Sequence, residues 1–429
     1  MKKNITRILL AFALIFTLGS CEKWIDPEIN IDPDQPVTVD MQYMLISAQT
    51  EMAYVLGGAD VSGITSMWMQ YVKGEDRQFK AIYTTYNIQG NGLNNCWENI
   101  YAGFMNDLNN IMIKASDTKA VSPHYSGVAK VMMAQVLGTT TSLWGDIPYS
   151  DAFGKGDNLK AAFDSQQEIY STINRLLTEA INDLSGTSVI ALSGDLIYNN
   201  DITIWKKLAY TLRARYSMHL TKKGSVNYTN VLSDLSNGIG TGEDFKLAFG
   251  TTEVNANPLY QFRDQRDGYA AVNDGFKTIV GTDPRGAVMN DVVFGSVYSS
   301  IDSDVAFMTY AEALYIKAEA MKRNGDTDAN VKAAIEAADA ASFDFYGVSG
   351  AAPVVSATPT IEDIIKAKYI HMFMNTEAFV DYRRTGYPTL TPTSGNLLPS
   401  RFPYASDEAQ YNSNTPSIAS IFVKLWAFE

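Results

Sequence analysis

Apolar residues recur at helical spacing through most of the chain. Where such a three- and four-residue spacing is sustained, it predicts an amphipathic helix. Segments with this spacing cover roughly residues 40–56, 61–72, 95–116, 124–143, 165–185, 201–222, 304–323, 328–342 and 361–380. The pattern therefore predicts a mainly α-helical protein.

Several of these segments form adjacent pairs joined by short turns. The clearest pair spans residues 310–341, where an Ala-containing helix is followed by a turn with Gly325 and by a second Ala-rich helix. This unit resembles a tetratricopeptide hairpin, which buries its apolar face by stacking on neighbouring hairpins. We expect the pairs 99–143 and 165–222 to be those neighbours.

Two regions lack clear helical spacing. Residues 73–94 and 223–300 mix Gly, Asn, Asp and Thr with aromatic residues. This composition predicts loop-rich insertions on the helical scaffold, and such loops are where binding residues tend to lie.

The N-terminus has the organisation of an export signal. Basic residues, among them Arg7, precede the apolar run 8–18, and Gly19 and Ser20 lead into Cys21. The run is shorter than the ~20 apolar residues of a membrane-spanning helix, so residues 1–20 are predicted to be a signal peptide. A Cys after Leu-Gly-Ser resembles the bacterial lipobox, which predicts lipidation of Cys21 and a membrane tether. The alternative is an ordinary secretory signal with an incidental Cys.

Composition narrows the function further. Residues 21–40 are rich in Pro and acidic residues and are predicted to form an extended leader. The formal net charge of −13 argues against binding to nucleic acid or to an anionic membrane surface. Cys96 is the only other cysteine, so the mature chain has no intramolecular disulfide. The 24 Tyr, 19 Phe and 6 Trp exceed what a helical core usually needs, which suggests that some face a ligand.

No pattern indicates an enzyme, a metal site or a cofactor. The three histidines are far apart and outside any HExxH motif, and residues 238–242 lack the Lys of a phosphate-binding loop. The segment 324–330 would need Gly at Ala329 and Glu at Ile335 to be a calcium loop, so it is predicted to cap two helices. Acidic residues are numerous, and only geometry would identify a catalytic carboxylate pair among them.

Five stretches in order carry a resemblance to a known family. They are LWGDIPYSDAF (143–153), DPRG (283–286), YAEALYIKAEAMKRNGD (310–326), YIHMFMNTEAFVDYRRTGYP (369–388) and PSRFPYASDEAQYN (399–412). They resemble the landmarks of the SusD/RagB family, outer-membrane lipoproteins that bind nutrients at the bacterial surface. The C-terminal VKLWAFE departs from the family's usual ending.

The resemblance implies a fold and a partner. The fold is a single SusD-like α-helical domain, residues 41–429, with four tetratricopeptide-like helix pairs and a loop-rich binding region. The partner is a SusC-like TonB-dependent β-barrel transporter, over which the lipoprotein sits as a hinged lid in the outer membrane. Within the fourth landmark, Glu377, Asp381 and Arg384 share one helical face, and we expect a structural role for them.

Two clusters have the composition of a sugar-binding site, with aromatic faces beside amide, carboxylate and guanidinium groups. The first cluster contains Trp68, Tyr71, Arg77, Tyr83 and Tyr86. The second, which is the stronger prediction, contains Asn257, Tyr260, Phe262, Arg263, Asp264, Arg266 and Tyr269. We expect the three aromatic residues of the second cluster to stack on the ligand and its other members to form polar contacts.

Three functions fit these observations. The leading prediction is capture of an oligosaccharide nutrient for import, and capture of a peptide is the closest alternative because Arg and Asp among aromatics suit both ligands. A structural or adhesive surface lipoprotein is the third possibility. No catalytic activity is predicted.

Overall fold

Long helices carry the fold, as the apolar spacing predicts. The structure is a computed structural model that describes residues 39–117, 121–154 and 160–429. Cys21, the predicted signal peptide and nearly all of the predicted leader lie outside the described residues. Residues Met41–Glu429 cluster into one compact unit. No helix among the described residues is long and apolar enough to cross a membrane.

The helices are, in chain order, α1 Met41–Leu56, α2 Ile64–Trp68, α3 Arg77–Thr85, α4 Asn94–Glu98, α5 Asn106–Ala115, α6 Pro123–Trp144, α7 Gln166–Asp183, α8 Ile202–His219, α9 Tyr228–Ser236, α10 Pro258–Gln265, α11 Asp274–Val280, α12 Gly286–Met289, α13 Ser296–Ser299, α14 Tyr310–Asn324, α15 Asp328–Tyr346, α16 Ile361–His371, α17 Glu377–Thr385 and α18 Ser406–Tyr411. Wider π-helical turns cover Ala59–Gly63 and Asn99–Met105, and 3-10 turns cover Gly90–Leu93, Thr221–Lys223, Glu253–Asn255 and Trp426–Phe428. The strands are β1 Val72–Gly74, β2 Phe245–Leu247, β3 Ala270–Val272 and β4 Val305–Met308.

The helices pack in pairs and confirm the mainly α-helical, tetratricopeptide-like prediction. Helix α14 packs on α15, α6 on α7, α8 on α9, and α1 on α5. Between α14 and α15, Gly325 ends the first helix at φ +85°, and the Thr327 side chain accepts a hydrogen bond from the Asn330 N–H. The predicted double cap at 324–330 is therefore confirmed.

Helices α6 and α8 approach each other closely at one glycine. A Cβ at Gly138 would overlap the ring of Tyr216, whose hydroxyl donates to the Gln135 carbonyl at 3.2 Å. Both Gly138 and Tyr216 are buried. The two helices can approach this closely because glycine has no side chain. Protein interiors are close-packed, so there is no room at this position for a methyl group.

Buried ion pairs link helices α8, α14, α16 and α17. Arg384 donates to both Glu319 and Asp381, and Asp381 also lies 2.8 Å from the ammonium of Lys368. His219 lies 2.8 Å from Glu377. The predicted structural role of the acids and arginine of α17 is confirmed, since every one of these side chains is buried and paired.

The predicted helix 61–72 ends at Trp68, because Gln70 adopts φ +59° and Val72 begins β1. Two further predicted helices also differ from the structure. Residues 305–308 form strand β4, which pairs antiparallel with β2 and buries Val305, Phe307 and Met308. The predicted helix 361–380 is broken between α16 and α17, where Met374 adopts φ +60°. A residue in that conformation cannot continue an α-helix.

The two predicted loop regions contain short helices as well as turns. Helix α3 lies in the first region, and α9, α10 and α11 lie in the second. Asn227, Asn257 and Asn273 begin the latter three helices, and each side chain accepts hydrogen bonds from backbone N–H groups of the first turn. These asparagines resemble loop residues in the sequence, but in the structure they are N-cap residues of helices.

Candidate functional site

A small sheet brings the two predicted clusters together. Strand β1 pairs antiparallel with β3, with Val72 opposite Val272. Beyond the strands, the Glu75 N–H donates to the Tyr269 carbonyl at 2.8 Å, and the Arg77 guanidinium lies 5.7 Å from the centre of the Tyr269 ring. The first cluster therefore lies directly against the second.

Three aromatics of the first cluster belong to the core, and their prediction as ligand-binding residues is wrong. Trp68 and Tyr71 are completely buried, and Tyr86 is 4% exposed. The ring of Tyr71 stacks on that of Tyr369 at 4.5 Å, and Trp68 packs edge-on against Phe402. These rings have no free face, because aromatic side chains bury more area than most others and dominate core packing.

Two members of the first cluster stay near the surface. Tyr83 is half-buried, and its hydroxyl accepts a hydrogen bond from the Asn273 amide at 2.8 Å. Burial raises the pKa of the Tyr83 phenol. Arg77 is exposed and begins α3 at φ +46°. Of these two side chains, only Arg77 can contact a ligand without the movement of a neighbouring residue.

The second cluster is a helix and its flanks, not an exposed loop. Asn257 is fully buried, accepts from the N–H groups of Leu259 and Tyr260, and donates to the Ser303 carbonyl. Its side-chain carbonyl caps the start of α10, and its amide nitrogen ties that start to the segment before β4. The prediction that Asn257 binds a ligand is therefore wrong.

The rest of the second cluster forms an arginine and aromatic surface around α10. Phe262 is half-buried and contacts Phe79 at 4.7 Å between ring centres, while Arg266 lies 5.2 Å above its ring. Arg263 lies 5.6 Å from the Tyr260 ring centre. Asp264 and Arg266 are exposed, and Tyr260, Arg263 and Tyr269 are half-buried. The structure thus leaves Tyr260, Phe262, Arg263, Asp264, Arg266 and Tyr269 accessible.

A cleft of about 260 Å³ opens beside this surface, and we call it the α10 cleft. It lies between the C-terminal end of α1 with the following π turn, α3, α4 and α10. Five side-chain amides line it, together with Tyr54, Asp60, Phe262 and Arg266; these amides are Gln78, Asn95, Asn99, Gln261 and Gln265.

Hydrogen bonds hold one wall of the α10 cleft. The Tyr54 hydroxyl donates to the Gln261 side-chain carbonyl at 2.7 Å, which ties α1 to α10. The Gln261 amide in turn donates to the Ala256 carbonyl at 3.1 Å. By contrast, the side chains of Asn95 and Asn99 are exposed and form no hydrogen bond with the described residues. They are available to a ligand.

The α10 cleft contains one acid and one cation. Burial raises the pKa of Asp60, and the nearby charge of Arg266 opposes that shift. Burial, and to a smaller extent the charge of Asp60, raises the pKa of the Cys96 thiol, so this cysteine is protonated and a poor nucleophile. The lining suits hydrogen bonding to a neutral polar ligand.

Sequence reasoning missed most of the α10 cleft. Asn95 and Asn99 are four residues apart, as are Gln261 and Gln265, so each pair shares one helical face. Such exposed amide pairs are a detectable signal, but nothing in the sequence indicates that the two pairs face each other. The predicted Phe262 and Arg266 do line the cleft.

No group of His, Cys, Asp and Glu side chains among the described residues is arranged to hold a metal ion. His371 is buried between Thr309 and Ser342, and burial lowers its pKa well below the usual value. Together with His219, it packs helices rather than lining a cleft.

Comparisons with known proteins give a consistent result. A family model for SusD-like proteins, described as "Starch-binding associating with outer membrane", matches residues 33–293 and 268–405. No curated protein sequence matches the chain.

Three solved structures illustrate the similarity of fold. A SusD/RagB family protein from Bacteroides thetaiotaomicron is 22% identical over 88% of this chain and 95% of its own, with a TM-score of 0.73. A chitin-binding SusD homolog from Flavobacterium johnsoniae is 21% identical over 91% of this chain and 97% of its own, with a TM-score of 0.73. A SusD homolog from Bacteroides ovatus is 20% identical over 87% and 93%, with a TM-score of 0.70.

Proposed function

The chain belongs to the SusD/RagB family of outer-membrane-associated proteins, and from that premise we propose that it binds oligosaccharide nutrients and delivers them to a SusC-like TonB-dependent transporter. It acts by binding, without catalysis. Lipidation of Cys21 after removal of residues 1–20 tethers it to the outer membrane, residues 21–40 are the leader, and residues 41–429 are the binding domain.

The observation that supports oligosaccharide binding is the lining of the α10 cleft. Sugar hydroxyl groups are both donors and acceptors, and a side-chain amide offers one carbonyl and two N–H groups to match them. The apolar face of a pyranose ring packs on an aromatic ring, which Phe262 provides in the lining and Tyr269, whose ring centre lies 6.2 Å from that of Phe262, provides beside it. One acid and one cation leave the cleft nearly neutral, as a neutral sugar requires.

The site residues that we propose differ in part from those predicted from the sequence. We retain Arg77, Tyr260, Phe262, Arg263, Asp264, Arg266 and Tyr269, and add Tyr54, Asp60, Gln78, Asn95, Asn99, Gln261 and Gln265. Tyr83 is a positioning residue through its bond with Asn273.

A titration of the full-length protein in mild detergent tests the site. Maltohexaose, chitohexaose and a neutral hexapeptide are the probes, and the variant carries Asn95→Ala and Asn99→Ala. Each lost hydrogen bond costs about 0.5–1.5 kcal/mol, so the pair should weaken binding about tenfold. Folding should be unchanged, because neither amide bonds to a described residue. Asn330→Ala, which removes an exposed amide from α15, is the control.

The outcomes separate the alternatives. Binding of a hexasaccharide that the double variant weakens and the control does not supports the proposal. Binding of the peptide alone favours the peptide-binding alternative. If a hexasaccharide binds the double variant as tightly as it binds the control variant, the binding site lies elsewhere.

A second experiment tests the partner. Gentle extraction from its own membrane should recover the protein together with a large β-barrel protein. Recovery only as a single species across several mild detergents would favour the adhesive alternative.

A further inference from the structure

A second and larger groove lies on the helical scaffold, and its residues are separate from those of the α10 cleft. Helices α7, α8 and α9 enclose a groove of about 620 Å³ that ends at Trp426. It continues into a hollow of about 380 Å³ through shared residues, among them Asn174 and Asn230. We call the two together the α7 groove.

One wall of the α7 groove is a polar stripe. Gln167, Ser171, Asn174 and Thr178 are four, three and four residues apart on α7, which places them on one helical face. At 1.5 Å per residue the stripe is about 16 Å long. All four are exposed, and the side-chain amides of Gln167 and Asn174 form no hydrogen bond with the described residues.

The floor of the α7 groove is apolar and its middle is neutral. Ile173 and Leu177 are fully buried beneath the stripe. Arg213 lies in the middle, but it donates to both oxygens of Asp234 at 2.9 and 2.6 Å, and these bonds neutralise its charge. An apolar floor with a polar rim is the usual lining of a ligand site.

The end of the α7 groove is basic, although the chain is acidic. The ammonium of Lys223 lies 4.8 Å from the Trp426 ring centre, and that of Lys222 donates to the Phe428 carbonyl at 3.0 Å. Lys424 is two residues before Trp426. Lys130 and Lys207 each pair with carboxylates, whereas none of these three lysines pairs with a carboxylate among the described residues.

The three lysines repel one another. Burial lowers the pKa of Lys222, and the charges of Lys424 and Lys223 lower it further. Cations that cluster without acidic partners among the described residues repel one another, and a bound anion would relieve the repulsion. The cluster therefore favours a ligand that carries negative charge at this end.

We propose that the α7 groove is a second binding site, and that it takes an oligosaccharide with carboxylate or sulfate groups. An anionic group binds at Lys223, with Lys222 and Lys424 adding to the attraction. The neighbouring sugars lie along the polar stripe of α7, where Gln167 and Asn174 bind hydroxyl groups. The chain then has two separate sites, the α10 cleft for a neutral sugar and the α7 groove for an anionic one.

Titration of the full-length protein in mild detergent tests this proposal. Tetragalacturonate supplies carboxylates only, a carrageenan tetrasaccharide supplies sulfates without carboxylates, and maltotetraose is the neutral ligand of the same length. We expect one or both anionic ligands to bind more tightly than maltotetraose, and to bind more weakly as salt is raised. Which of them binds distinguishes the carboxylate from the sulfate.

Three variants locate the site. Lys223→Gln should weaken anionic binding about tenfold, because a charge-assisted hydrogen bond is lost. Asn174→Ala should weaken it about threefold or more without a change in charge. Lys366→Gln removes the same charge from α16, where Lys366 pairs with Glu362, and should have no effect. Urea unfolding of each variant checks that the fold is intact.

Three results would overturn the proposal. The first is that neither anionic ligand binds more tightly than maltotetraose. The second is an equal loss for Lys223→Gln and Lys366→Gln, which would reflect only overall charge. The third is unchanged affinity in Asn174→Ala. None of these results bears on hexasaccharide binding at the α10 cleft, because Asn95 and Asn99 report that site separately.

Discussion

Replacing Arg384 with Met should strongly destabilise the protein. Arg384 and Glu319 each have 1% of their side chains exposed, and a guanidinium N–H of Arg384 donates to a Glu319 oxygen at 2.6 Å. The substitution keeps the apolar volume but leaves Glu319 buried with a weaker partner. Breaking a buried ion pair from one side costs about 3–5 kcal/mol, so we expect that loss in the free energy of unfolding at neutral pH.

The pKa of Glu319 gives a similar magnitude for the loss of stability, and it predicts how this loss depends on pH. Burial by itself would raise this pKa, but Arg384 and then Arg323 lower it to about 2, from an ordinary value of 4.5. A shift of this size corresponds to about 3 kcal/mol. Because the folded-state pKa is depressed, the stabilisation is complete above pH 4.5 and is lost as the pH falls towards about 2. The difference between parent and variant should therefore shrink over that range.

Urea unfolding followed by tryptophan fluorescence measures this difference, at neutral pH and at several acid pH values. Arg323→Met is the matched control, because Arg323 contacts the same carboxylate at 2.7 Å but is 25% exposed. We expect it to cost less than about 1 kcal/mol. Equal losses for the two variants, or a difference that does not change with pH, would refute the reasoning.

Other predictions concern packing, ligand contact and anchoring. Gly138→Ala should lower the free energy of unfolding by about 1–3 kcal/mol, because the new methyl group overlaps Tyr216; Gly92→Ala, which meets open space, should have little effect in the same urea titration. Tyr269→Ala should weaken hexasaccharide binding about tenfold with an unchanged melting temperature, and a much lower melting temperature would show that the ring is a core residue. Cys21→Ala should release the protein from the membrane fraction, and full retention there would argue against lipidation.

Local sequence was sufficient to predict much of the helical scaffold. The spacing of apolar residues located α6, α7 and α8 to within a few residues, and Gly325 and Thr327 marked the boundary between α14 and α15. These predictions hold because periodic burial and helix capping depend on neighbours within one or two turns. The five landmark stretches likewise indicated the family.

The accessibility of single side chains was not predictable in this way. Trp68 and Tyr71 directly precede the polar and aromatic stretch 73–94 and resemble part of an exposed site, yet Phe402 and Tyr369, which cover them, lie more than 290 positions away in the sequence. From the sequence, Asn257 resembles a ligand-binding amide, and only the structure shows that it caps the start of α10. Whether a polar or aromatic side chain is free depends on what packs against it.

The sequence by itself determined the helical class, the positions of most long helices and the family. It also singled out Phe262 and Arg266, which line the α10 cleft. Only the tertiary structure decided that the Asn95 and Gln261 amide pairs face one cleft, and that Lys223, at the end of another groove, lies in a cluster with Lys222 and Lys424. The physical reason is that helical periodicity is a local property, whereas a cleft is formed by side chains that only long-range packing brings together.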